Sequence, residues 1–100
     1  MTSLQLMVAE FNQKRILFVD RGLRALDLSS EIGEVCKLAF SEGVGKKIEI
    51  NKWEEELGDV LYSLLSLMSE LDIEAEKALS KVLEKYHGRI ANCNSMDSGS

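Results

Sequence analysis

The chain has 100 residues, no proline, and 12 basic against 17 acidic side chains, for a formal net charge of −5. One domain is the expectation at this length, and an acidic chain lacks the basic surface that binding to polymeric nucleic acid requires. No apolar run approaches the ~20 residues needed to span a bilayer and no basic-then-apolar leader opens the chain, so a cytoplasmic protein with no membrane partner is expected.

Missing proline and sparse glycine in the apolar segments favour helices over strands. The first helix is expected from about Leu4 to Phe18, with Leu4, Met7, Val8 and Phe11 at helical spacing and Thr2 or Ser3 as its cap. Asp20-Arg21-Gly22 reads as a turn. A second helix, about Leu23 to Ser41, carries the stripe Leu28, Ile32, Val35 and Ala39. The segment from Glu42 to Ile50, with two glycines and two lysines, reads as a loop. Its Ile48-Glu49-Ile50 alternation resembles a short strand, but nothing else in the chain would pair with it.

Asn51, with Glu54 three residues on, predicts a capping box for a third helix. Its stripe is Trp53, Leu57, Val60, Leu64, Met68 and Leu71. Asp72 is the expected cap of a fourth helix, with Ala78, Val82 and Tyr86 inside and Gly88 at its end. Residues 1–90 then form one helical domain, and Ala91 to Ser100 a polar, disordered tail. The expected architecture is all-α, a four-helix antiparallel bundle. Cys36 and Cys93 lack metal-ligand spacing and are expected as reduced thiols.

The most informative feature is a near-duplication: Glu31-Ile-Gly-Glu-Val35 recurs as Glu56-Leu-Gly-Asp-Val60. Acids three apart share a helix face, with Cβ atoms about 5–6 Å apart. In both copies the acids sit one residue before the apolar stripe, a rotation of about 100°. If the two helices pack antiparallel, Glu31, Glu34, Glu56 and Asp59 converge. One such pair alone more often marks a solvated face; two in the same phase favour a metal site. Gly33 and Gly58 lie between the acids, and mid-helix glycine costs about 1 kcal/mol relative to alanine. That suggests close backbone approach or room for a ligand.

Four converging carboxylates either hold protons or bind a cation. Oxygen-only ligands suit a hard ion, Mg²⁺ first and Mn²⁺ as a substitute. The single histidine, His87, is far from these acids in sequence, which argues against a Glu-x-x-His di-iron bundle.

With these motifs in place, the chain resembles the MazG-like all-α nucleoside triphosphate pyrophosphohydrolases, related to the dimeric all-α dUTPases. Glu31-x-x-Glu34 and Glu56-x-x-Asp59, separated by 21 residues, fill the family pattern of E-x-x-E followed by E-x-x-D, and the similarity runs from about Leu4 to Arg89. The resemblance implies a homodimer or a dimer of dimers. It implies cleavage between the α and β phosphates of a nucleotide, giving a monophosphate and pyrophosphate. It further implies Lys52, Lys85 and Arg89 as phosphate-binding residues; for each alone, a solubilising role is about as good an account. Two positions depart from the family: Ser30 stands where a further glutamate is frequent, and Tyr86 where asparagine is frequent.

On this reading Mg²⁺ held by the four acids neutralises charge on the phosphates. Glu34 positions or deprotonates the attacking water, and Glu56 joins it as a catalytic residue. Phe11, Phe18 and Tyr62 are expected in the core; Trp53 is the candidate for stacking on a base. Two rivals remain: a non-catalytic helical oligomerisation module, and a related hydrolase acting on dUTP or phosphoribosyl-ATP.

Overall fold

The computed structural model describes residues 3–14 and 21–93. They form four helices: α1 (Ser3–Lys14), α2 (Arg21–Gly43), α3 (Ile50–Glu70) and α4 (Ala75–Cys93). Among the described residues there is no strand, so Ile48-Glu49-Ile50 is connection and helix start. No described helix is long and apolar enough to cross a membrane.

Several boundaries differ from expectation, each for a local reason. The end of the first expected helix, with Phe18, and Asp20 of the expected turn lie outside the described residues. Arg21 and Gly22 belong to α2; glycine in a first turn sits where the helix has no internal N–H bonds to lose. The cap of α3 is Glu49, extended at φ −72° and ψ 147° without a side-chain cap bond, so Asn51 is inside the helix and the capping box does not form. Gly88 does not end α4, which continues to Cys93. The expected tail is therefore helical over its first three residues, and 94–100 lie outside the described region.

Asp72 closes α3 rather than opening α4. It adopts φ 56°, a left-handed conformation in which aspartate is better tolerated than most side chains. Around it the Ile73 N–H donates to the Met68 carbonyl at 2.9 Å and the Asp72 N–H to the Ser69 carbonyl at 3.1 Å. That bond pair is the Schellman closure of a helix end.

The pairs Glu42–Trp53, Glu31–Asp59 and Arg24–Glu70 run in opposite chain directions, so α2 and α3 are antiparallel. α1 also runs antiparallel to α3: Asn12 meets Tyr62 and Ser66, while Gln5 meets Ile73. α4 touches the other helices at few points. The Cα radius of gyration is 17.0 Å, against about 13 Å for a compact domain of this length. Among the described residues, α1 and α2 pack on α3, and α4 is only loosely joined to them.

The inner faces reverse the expected polarity. Among the described residues Leu38 and Leu65 are the buried apolar side chains, while Gln5, Asn12, Arg24, Glu56, Ser63 and Ser66 are buried polar ones. On α3, Glu56 is 9% exposed and its stripe neighbour Leu57 is 51% exposed. Leu64 and Leu71 of that stripe are exposed too, as are Ile32 on α2 and Tyr86 on α4. The polar side of α3 faces its own chain, held by hydrogen bonds, and much of the apolar side stays open.

Candidate metal centre

Because α2 and α3 are antiparallel, Glu31 comes to lie across from Glu56 and Asp59. One carboxylate oxygen from each lies within 4.8 Å of the other two. Glu56 is buried, Glu31 half-buried and Asp59 exposed, so the cluster opens to solvent on one side. Glu34 is not in this group: it is exposed, and its carboxylate meets Lys37 at 3.4 Å.

Electrostatics record the crowding. Partial desolvation, followed by the charges of Asp59, Glu56, Glu34 and Asp27, holds the Glu31 carboxyl above the ordinary carboxylate range. Asp27 went unnoticed in the motif, although Asp27, Glu31 and Glu34 follow one helical stripe at spacings of four and three. It adds negative charge one turn before Glu31, on the same helix as Ser30.

Lys52 is the local counter-charge. Its Nζ lies 3.1 Å from Glu56 and 3.7 Å from Glu55. The hydrogen bond to Glu56, then the charges of Glu55 and Glu56, raise its proton affinity. Lys52 is thus brought to the cluster. Lys85 and Arg89 flank the Tyr86 ring at 5.3 and 5.6 Å, on the helix that makes few contacts with α2 and α3. Trp53 is half-buried and its indole N–H donates to Glu42 at 3.4 Å, which ties the start of α3 to the end of α2.

The glycine expectation needs correcting in part. A Cβ built on Gly33 or Gly58 would meet nothing within 4 Å, so close backbone approach within one chain is not their reason. We expect Gly58→Ala to raise stability by up to about 1 kcal/mol through helix propensity alone, measured by urea unfolding. Destabilisation instead would place another chain against Gly58.

The donor set fits a hard divalent cation. Bonds of about 2.0–2.1 Å put two ligands no more than about 4.2 Å apart, and carboxylates on flexible stems can close the remaining gap. All three donors are oxygens, which matches Mg²⁺ or Mn²⁺ rather than a softer metal.

Paired acids on adjacent antiparallel helices define an all-helical protein with an acidic cluster suited to a hard cation. The MazG nucleotide pyrophosphohydrolase domain matches residues 24–94, and the chain belongs to that family. It is similar to the uncharacterized protein YpjD of Bacillus subtilis (strain 168), with 38% identity over 66 residues, 62% of this chain and 60% of YpjD. No solved structure matches the chain significantly.

Proposed function

We propose that the protein is a Mg²⁺-dependent nucleotide pyrophosphohydrolase that cleaves the α–β phosphoanhydride of (d)NTPs to a monophosphate and pyrophosphate. The observation that carries this reading is the meeting of Glu31, Glu56 and Asp59 from two helices in a chain of the MazG family.

These three residues would hold the ion, with Glu34, now paired with Lys37, as the fourth carboxylate available to it. The ion supplies charge neutralisation for the phosphate oxygens and lowers the pKa of water. Glu34, on the open side, orients the attacking water or takes its proton, and Glu56 fixes the geometry from the buried side. Lys52, which pairs with Glu56, would offset charge on the leaving pyrophosphate. Trp53, at the start of α3, is the residue to stack on a base.

The working form is a homodimer or homotetramer. Leu57, Leu61 and Leu79 are exposed in the single chain, and a contiguous apolar surface of this kind marks an association site. Lys85 and Arg89 act as phosphate ligands within that assembly; in the single chain α4 makes few contacts with α2 and α3.

A panel of nucleoside triphosphates, with dUTP and phosphoribosyl-ATP included, tests the proposal by product analysis. Monophosphate and pyrophosphate from several (d)NTPs, dependent on Mg²⁺, are the expected products. Turnover of dUTP or phosphoribosyl-ATP alone would move the activity to a narrower hydrolase, and no turnover at all would leave a non-catalytic module.

A further inference from the structure

We infer that Gln5 is a positioning residue: through its side-chain amide, α1 fixes the angle at which α4 leaves the α2–α3 pair. Gln5 is fully buried, at 0% exposure. Its Nε2 donates to the Ile73 carbonyl at 2.6 Å, and its Oε1 accepts the Ala75 N–H at 3.0 Å. The first bond grips the α3–α4 turn; the second caps one of the free N–H groups that open α4. A single amide thus spans three elements.

Among the described residues, few other contacts bear on that angle. α4 meets the other helices at few points, and α3 and α4 diverge around a groove of about 550 Å³ that Leu61, Leu64, Leu79 and Val82 help to line. The turn is closed toward α3 by the Asp72 bonds, which fix the end of α3 but not the direction of α4. α1 is itself held in register by polar contacts: Asn12 Nδ2 donates to Ser66 Oγ at 3.1 Å, and Tyr62 OH donates to Asn12 Oδ1 at 2.5 Å. Its apolar Leu4, Met7 and Phe11 are exposed. α1 also lies outside residues 24–94, the part matched by the family, so the match assigns it no role.

The lever is long. Ala75 to Arg89 spans about 21 Å of helix at 1.5 Å per residue, so a turn of about 10° at the hinge moves Arg89 by about 4 Å. A shift of that size separates a cation from a phosphate. The brace therefore governs substrate affinity, a consequence that rests on the proposed hydrolysis, while the acidic cluster on α2 and α3 is untouched by it.

The test uses the full chain with Gln5→Met, which keeps the volume and removes both hydrogen bonds, and Gln5→Glu, which keeps the acceptor for Ala75. Amide hydrogen exchange is read along α3 and α4, and KM and kcat in the assembled protein. In Gln5→Met, amides at the start of α4 should exchange about tenfold faster, the scale of losing ordinary hydrogen bonds, while those around Glu56 to Ser66 keep wild-type rates. KM should rise with kcat unchanged, and Gln5→Glu should retain part of the α4 protection. Unchanged α4 exchange in Gln5→Met, or equal acceleration in every helix, would overturn the inference, as would equal loss in both variants. If wild type hydrolyses no nucleotide, the proposed function fails, and the exchange rates alone decide the brace.

Discussion

Glu56→Gln or Asp59→Asn will abolish pyrophosphate release, with a loss of about a hundredfold or more, while the helices remain folded. Each change removes one charged oxygen donor from a set of three that meet across α2 and α3. A hard cation depends on that negative charge, and metal-assisted hydrolysis loses several kcal/mol of transition-state stabilisation without it. Glu56→Gln also removes the ion pair with Lys52 at 3.1 Å, so its circular dichroism must be compared with wild type before the rates are. Relief of acidic crowding around Glu31 works in favour of the fold in Asp59→Asn, because Asp59 is, after desolvation, the strongest influence raising the Glu31 proton affinity. Full turnover in either variant would remove these residues from the chemistry.

The second large effect concerns assembly. Leu61→Glu or Leu79→Glu will dissociate the proposed oligomer at micromolar concentration, as seen by sedimentation. Both side chains line the apolar groove and both are exposed in the single chain, so the substitution costs the monomer little. In an interface each would bury an unpaired carboxylate, and losses of about 2 kcal/mol or more per central side chain are typical there. Activity should fall with the oligomer, if Lys85 and Arg89, on a helix with few contacts to α2 and α3, bind phosphate within the assembly. A wild-type protein that sediments as a monomer, or variants that assemble normally, would refute the proposed use of this face.

Four helices were legible in the sequence, and so was the approach of Glu31 to Glu56 and Asp59, but not the exposure of Ile32 and Leu57 or the place of Glu34 outside the group. Helical spacing puts each acid pair on one face, and antiparallel packing of α2 and α3 brings Glu31 to Glu56 and Asp59. What covers each face was not legible. Periodicity says that Leu57 and Leu64 belong on a buried face but not that they stay exposed among the described residues. For the same reason the polar side of α3, with Ser63 and Ser66, was not recognised as the inner one. Gln5 and Asn12 gave no signal either, since a lone amide on an amphipathic helix looks like a solvated residue until its partners are seen. Capping was misjudged where two candidates competed within three positions: Glu49 took the place expected for Asn51, and Asp72 served the end of α3 instead of the start of α4.

Anomalous diffraction from crystals soaked in Mn²⁺ tests the central claim most directly. The predicted result is a peak within coordination distance of Glu31, Glu56 and Asp59 together, weakened as acidification lets Glu31 keep its proton. Peaks only at other surface carboxylates, with this cluster empty at saturating Mn²⁺ and neutral pH, would contradict it.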